Sequence, residues 1–329
     1  MLRGDSGAGA DASAAQLSDI PELLKKADAL MKPAGFFSSL LGRGSDPDAA
    51  LSIYMQCAQR YKLARQWNDA ADCYVRASLA AERGEDTSTQ AQMLAEAGNV
   101  LKRVSTSDAE EQLVAAAAVY IQQGRWSQAG KLYRSVAEMY EEGEALSGLG
   151  NDGKCVSKVM TFYKKAADTY ELDEYGKSAF SQCRCKFAEY AAKSEDTIHD
   201  AIQIFEQEGD KATRNNLLQF SAKDFYLKAL VLLLSSGDAV SAQIALERYV
   251  ARDPRFEGSR EGRLATALVA AMQEGDAEAF TAALDDFDRI SKLDPWKIHF
   301  LLKAKRRLMH GDEGGDHVGI GDDGEVDLS

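Results

Sequence analysis

No proline stands between Asp48 and Asp253; the five prolines of the chain are Pro21, Pro33, Pro47, Pro254 and Pro295. A proline inside a helix removes a hydrogen bond and clashes with the preceding turn, at a cost of about 3 kcal/mol. The long interior is therefore open to helix, and its apolar residues recur at helical spacing. In 125–142, RWSQAGKLYRSVAEMYEE, residues Trp126, Ala129, Leu132, Tyr133, Val136, Ala137 and Tyr140 fall three or four apart along one side. Lys131 and Arg134 fall on the opposite side. Small Ala129 and Ala137 admit a neighbouring helix, and the aromatic residues fill the space beside it. One such helix cannot bury its apolar face alone, so it needs neighbours built the same way.

The chain supplies them. Helices are expected at 15–31, 46–64, 68–83, 87–104, 107–123, 125–142, 152–170, 174–192, 194–207, 212–235 and 238–252. Shorter ones follow at 261–273, 277–291 and 295–309. Asp46-Pro47 is a start signal, a capping side chain followed by proline at the first helical position. Gly84 and Gly124 close two of the segments. An Ala-x-x-Tyr spacing recurs at Ala58/Tyr61, Ala117/Tyr120, Ala137/Tyr140 and Ala167/Tyr170. A Trp-x-x-Ala-x-x-x-Tyr spacing recurs at Trp67/Ala70/Tyr74 and Trp126/Ala129/Tyr133. Repeated helix–turn–helix units of this kind predict an all-α fold, a tetratricopeptide-like α-solenoid, closed by a C-terminal helical bundle. The domain reading is an N-terminal 1–14 too polar and glycine-rich to fold, a solenoid at 15–252, a bundle at 253–310 and a disordered acidic tail at 311–329. The run 227–234, LKALVLLL, is the expected core helix.

Charge and composition remove several functions. A formal net charge of −13 argues against general nucleic-acid binding, which needs a basic surface. No run reaches the roughly 18 apolar residues of a membrane span, and the N-terminus lacks the apolar core of a signal peptide. The five cysteines, Cys57, Cys73, Cys155, Cys183 and Cys185, are odd in number and lie in helical patterns, as reduced thiols of a cytosolic protein do. Four histidines have no metal-ligand spacing, and no catalytic motif can be assembled. Gly148-Leu-Gly150-Asn-Asp-Gly153 matches a dinucleotide fingerprint in letters only, since a helix pattern and no strand precedes it. A binding protein without catalytic, cofactor or metal residues is the expectation.

Two segments are unusual. The loop 33–45 carries Phe36, Phe37, Leu40 and Leu41 between glycines, with Lys25, Lys26, Lys32 and Arg43 nearby. It is either folded back on neighbouring helices as a staple or an apolar wedge suited to an anionic bilayer. The tail 311–329 is acidic and glycine-rich, with Leu328 next to its end as a possible anchor for a basic partner.

Several pieces together resemble the soluble N-ethylmaleimide-sensitive-factor attachment proteins, the SNAP adaptors, of the α type. They are Phe36-Phe37-Ser-Ser-Leu-Leu-Gly42, Gly124-Arg-Trp with Lys131, Ala137-Glu-Met-Tyr140, and Leu217-Leu-Gln-Phe-Ser-Ala-Lys-Asp224. Ser259-Arg-Glu261, Ile290-Ser-Lys-Leu-Asp294 with Trp296, Leu301-Leu-Lys303 and the acidic end with Leu328 complete the set. The resemblance implies a twisted sheet of antiparallel helix pairs with a C-terminal bundle and no enzymatic activity. It also implies a cytoplasmic, peripheral-membrane adaptor, several copies of which wrap an assembled SNARE four-helix bundle and recruit the hexameric disassembly ATPase. By that resemblance Phe36 and Phe37 match the membrane-contacting loop, which Leu40 and Leu41 extend. Arg125, Lys131 and Lys186 match SNARE-facing basic positions, and Arg134 adds to them from the side of the helix opposite its apolar stripe. Asp312, Glu313 and Leu328 match the ATPase-facing terminus. The chain departs from the family at Gln182, where lysine is frequent, in a longer glycine-rich loop at 144–153, and in an insertion at 314–325. A peptide-clamping tetratricopeptide scaffold or co-chaperone is the alternative reading.

Overall fold

The computed structural model describes residues 17–32, 45–146 and 153–310. Among them the regular structure is fifteen α-helices with one short 3-10 turn and no strand, so the all-α helical-repeat class read from the sequence holds. The chain forms two compact units, one up to Phe187 and one from Ala188.

The first unit contains α1 (Ile20–Leu30), α2 (Pro47–Leu63), α3 (Trp67–Arg83), α4 (Thr87–Leu101), α5 (Thr106–Gln122), α6 (Trp126–Leu146) and α7 (Gly153–Glu171). It also contains most of α8 (Lys177–Ala191), whose last residues belong to the second unit. From α1 to α7 consecutive helices pack on one another. Side-chain carboxylates and a hydroxyl supply the starts: Asp46, Asp86 and Ser105 accept from the amides of Ala49, Thr89 and Asp108 at 3.0, 3.0 and 3.3 Å. Three of the four turns between α2 and α6 place one residue in the left-handed region. Gly124 fills it with φ +69° at no cost, whereas Arg65 and Glu85 adopt φ 59° and 58° with side chains that disfavour it.

Helices two apart in sequence also meet. Lys62 of α2 reaches Glu96 of α4 at 3.4 Å, and Lys102 at the end of α4 donates to Ser135 of α6. Arg134 of α6 donates to Gln182 of α8 at 3.1 Å, and Lys186 of α8 pairs with Glu141 of α6 at 2.9 Å. On the other side Arg76 of α3 pairs with Asp28 of α1 at 3.4 Å and Lys158 of α7 with Glu110 of α5 at 2.6 Å. Even-numbered helices therefore make one layer and odd-numbered helices the other. Tyrosine hydroxyls fasten the layers: Tyr54 donates to Asp28 and Tyr163 to Glu141, both at 2.5 Å, and Tyr140 donates to Glu110. Each of these carboxylates also holds the cation just named. Burial and the adjacent carboxylate push the Tyr54 and Tyr140 phenols well above their usual value, so they remain donors.

The second unit is built differently. Its helices are α9 (Ile198–Thr213), α10 (Ala222–Ser235), α11 (Ala239–Arg252), α12 (Pro254–Gly258), α13 (Arg260–Glu274), α14 (Ala277–Asp288) and α15 (Pro295–His310). The expected core helix is α10: Leu227 and Ala229 to Ser235 are all buried, and α9, α11, α13 and α15 pack around it. Tyr226 of α10 stacks on Tyr249 of α11 at 4.5 Å and meets Phe256 edge-on at 5.7 Å. Gly209 of α9 makes room for that ring, since a Cβ there would stand 2.6 Å from it. Lys297 is buried, its ammonium 2.7 Å from Asp224 and 2.6 Å from Asp294, and Asp294 also caps α15.

Boundaries differ from expectation where side chains compete with the backbone. The helices expected at 194–207 and 212–235 are instead α9 and α10, separated at 214–221. Asn215 accepts from the Leu217 amide at 2.9 Å and forms a local turn that ends the helix. Asp253-Pro254, taken as a terminator of α11, also starts α12, because Asp253 caps the Arg255 amide at 3.2 Å. Helix α6 continues to Leu146, four residues past its expected end. The tail, the N-terminal segment and the loop around Phe36 lie outside the described residues.

The Lys297 cluster sets a pH dependence. Burial alone would raise the Asp294 carboxyl, but Lys297 holds it below the ordinary value. Its contribution is complete above the unfolded carboxylate value and disappears as pH falls through the lower folded one. Lys297→Met should lower unfolding free energy at pH 7 by about 1–3 kcal/mol. The gap to wild type should narrow below pH 4 in denaturant titrations, and a gap independent of pH would contradict the assignment.

Candidate functional site

Arg125 precedes α6 as the turn at Gly124 closes. Its guanidinium lies over the Tyr120 ring, 4.9 Å from the centroid, and donates to Ser88 at the start of α4 at 3.1 Å. Along α6 the buried side is Ala129, Val136 and Ala137, with Trp126, Leu132, Tyr133 and Tyr140 half-buried, as the spacing requires. The opposite side is ordered by its neighbours. Ser135 leans toward α4 and Arg134 toward α8, so the line Lys131–Glu138, a heptad apart and between them, faces outward. Lys131 is exposed and has no hydrogen bond or ion pair among the described residues.

The other two expected cations are partly spent within the layer. Arg134 makes an ion pair with Glu138 at 2.7 Å, which raises its already high pKa. Lys186 pairs with Glu141, whose second oxygen accepts from Tyr163. Both pairs are half-exposed and screened by solvent, and such pairs contribute roughly 0–1 kcal/mol. The four sequence-derived residues Arg125, Lys131, Arg134 and Lys186 thus sit on α6, its entry and α8, all in the even layer. One more basic residue shares it that sequence reasoning missed. Lys102 ends α4 and donates to Ser135; its half-burial lowers its pKa against the opposing pull of Glu138 and Glu142. The next residue, Arg103, is exposed and turns to the other layer, over Trp67 of α3 at 5.0 Å. The signal for Lys102 was the helix count: a residue ending α4 meets the middle of α6 only if alternate helices are layer neighbours.

Gln182 acquires a partner in this geometry. Its side-chain carbonyl accepts from Arg134 at 3.1 Å, so a guanidinium from α6 stands beside the position where lysine was expected on α8. Phe36, Phe37, Leu40 and Leu41, and likewise Asp312, Glu313 and Leu328, lie outside the described residues. The flanks of the apolar loop are described: Ser45 Oγ and the Asp46 amide both donate to the Leu30 carbonyl at 3.1 Å, which pins the two ends of segment 33–44 together. Gly153 of the glycine-rich match opens α7, and helix α6 precedes it. Among the described residues no helix is long and apolar enough to cross a membrane, and no three His, Cys, Asp or Glu side chains are grouped to hold a metal.

Lys131 and Lys186 should separate by stability. Lys131→Glu should leave the thermal midpoint unchanged within about 1 °C. Lys186→Glu, which sets a carboxylate against Glu141 and Tyr163, should cost about 1 kcal/mol, or a few degrees. Calorimetry that finds the reverse order would contradict the contacts assigned to these residues.

The family model for "Soluble NSF attachment protein, SNAP" matches residues 18–309. An alpha-soluble NSF attachment protein of Vitis vinifera is 34% identical over 87% of this chain and 93% of its own length. A beta-soluble NSF attachment protein of Bos taurus is 33% identical over 89% and 95%. The vesicular-fusion protein SEC17 of Komagataella phaffii is 30% identical over 90% and 98%. With the fold and nearly the whole length in agreement, the chain belongs to the soluble NSF attachment protein family.

Proposed function

We propose that this chain is an adaptor of membrane fusion that binds assembled SNARE four-helix bundles and presents them to the hexameric disassembly ATPase. The observation that carries the reading is the gathering of Lys102, Arg125, Lys131, Arg134 and Lys186 on the even layer of a chain whose net charge is −13. An acidic protein with a cluster of cations on one layer is suited to an acidic partner, because like charge elsewhere disfavours other orientations. SNARE bundles are acidic rods, and a row of parallel helices offers a long surface to such a rod. Arg125 and Lys131 carry the least compensated charge and take the leading roles. Arg134 acts together with Gln182, and Lys186 acts through a carboxylate-linked head group that the partner must share with Glu141. Several copies engage one bundle, each monomeric when free.

The remaining parts take the roles that family resemblance gives them. Phe36, Phe37, Leu40 and Leu41 contact the membrane surface; four apolar side chains support reversible attachment of a cytoplasmic protein and not a permanent anchor. Asp312, Glu313 and Leu328 face the ATPase. No step requires a cofactor, and the chain contributes binding and positioning while the ATPase supplies the chemistry.

Phe36→Ser with Phe37→Ser should reduce co-sedimentation with anionic liposomes at least five-fold. It should slow ATPase-driven disassembly of membrane-anchored SNARE complexes, with soluble complexes disassembled at the wild-type rate. Equal loss in both assays would return the loop to a structural staple. Absence of any disassembly with the wild-type chain would remove the adaptor reading altogether.

A further inference from the structure

Helix α15 stands apart in charge from the chain that carries it. It holds five Lys and Arg residues and no Asp or Glu, in a protein of net charge −13. Lys297 is turned inward to its two carboxylates. His299, Lys303 and Arg306 follow at intervals of four and three residues along one outer face. They spread over two turns, about 10 Å along the axis. The turn that leaves α8 meets this face. Lys193 of that turn is exposed, its ammonium 4.5 Å over the Tyr190 ring, and it joins Lys303 and Arg306 around the His299 imidazole. Glu195 of the same turn offsets part of the charge, 3.6 Å from Lys303 and 3.2 Å from Arg307. Arg306 is exposed and has no ion pair among the described residues.

We propose that Lys193, His299, Lys303 and Arg306 form a binding site for an anion with several neighbouring phosphate groups, as on a phosphorylated inositol ring. Like charges gathered within reach of one another repel, and a bound anion relieves that repulsion. The single carboxylate of Glu195, shared between Lys303 and Arg307, leaves the cluster net positive. Arg306 offers a planar fork that grips a phosphate by two bonds, while Lys193 and Lys303 act as point charges. A face two turns long exceeds the reach of one phosphate, which selects an anion carrying more. His299 adds a dependence on pH. Burial and the three cations press its imidazole below the usual histidine value, so in the free protein it is neutral near pH 7. A bound anion offsets the cations and favours the imidazolium. Binding therefore takes up a proton, and affinity rises as pH falls through the histidine range. The site lies within the second unit and is independent of the adaptor reading.

The test is isothermal titration of the full chain with inositol hexakisphosphate, with circular dichroism to verify folding of each variant. Wild type should bind, and Lys303→Ala with Arg306→Ala should weaken binding at least ten-fold. Arg306→Ala alone, which removes no ion pair, should weaken it at least three-fold. Lys292→Ala, an exposed cation elsewhere in the unit, should change affinity less than two-fold. The ratio of affinity at pH 6 to that at pH 8 should be at least three-fold larger for wild type than for His299→Gln. That comparison cancels the titration of the phosphates themselves. No binding at pH 6, or an equal loss with Lys292→Ala, would overturn the site, and equal ratios would overturn the role of the imidazole. Phosphatidylcholine vesicles carrying phosphatidylinositol bisphosphate separate the two sources of such a ring. Co-sedimentation lost in the double variant would assign the site to a lipid headgroup. Co-sedimentation unchanged by it, with hexakisphosphate bound, would assign the site to a soluble inositol phosphate.

Discussion

Alanine at the helix contacts is the constraint on which the first unit depends. Ala50, Ala58, Ala70, Ala77, Ala80, Ala91, Ala97, Ala109, Ala116, Ala117, Ala129 and Ala137 are completely buried. A contact side chain of one carbon lets helix axes come near the short end of the usual 8–10 Å range. At that separation a lysine or arginine on one helix spans the groove to the next helix of its own layer. The pairs Lys62–Glu96, Arg134–Gln182 and Lys186–Glu141 are consequences of that approach. Larger residues at these positions would widen the row and break the lateral contacts that align the cations. The placement of the proposed SNARE-facing cations is thus a by-product of packing: the apolar side of α6 fixes the spacing, and the polar side inherits it.

The second unit rests on a different solution, one central helix enclosed by others. Helix α10 is apolar on nearly every side and would be insoluble alone, so its neighbours bury it and meet polar needs at its rim. Lys297 illustrates the rule that a buried charge persists only when paired: two carboxylates surround it, and one of them also caps its own helix. Tyr226 and Tyr249 repeat the device of the first unit, each donating to a carboxylate, Asp210 or Glu206, that also holds an arginine. Both units therefore combine tyrosine, carboxylate and cation where a largely buried aromatic ring turns its hydroxyl to a polar group.

Much of this was legible in the chain itself. Period and missing proline located the helices, and the stripe on α6 divided its buried and exposed sides correctly, because both follow from local spacing. The run 227–234 announced the core of the second unit by its composition. What local spacing could not reveal was pairing at long range. That Lys102 belongs with Lys131 and that Gln182 accepts from Arg134 depend on layer order, which no window of sequence contains. The break at Asn215 was missed because an Asn side chain can serve either a helix surface or a turn, and only the neighbouring amide decides. The dipeptide Asp253-Pro254 carried two meanings, stop and start, and the structure uses both.

The central claim is that the even layer is an electrostatic dock for a folded acidic helical rod. Its most direct test measures binding to an assembled SNARE four-helix bundle, and to the same SNARE helices unassembled, across a salt series with wild type and Lys131→Glu. The account predicts binding to the assembled bundle only, weakening with salt. Lys131→Glu should lower affinity about ten-fold at low salt and less as screening rises. Equal binding to isolated helices or short peptides would identify a peptide clamp, and affinity unchanged by Lys131→Glu at every salt concentration would contradict the dock.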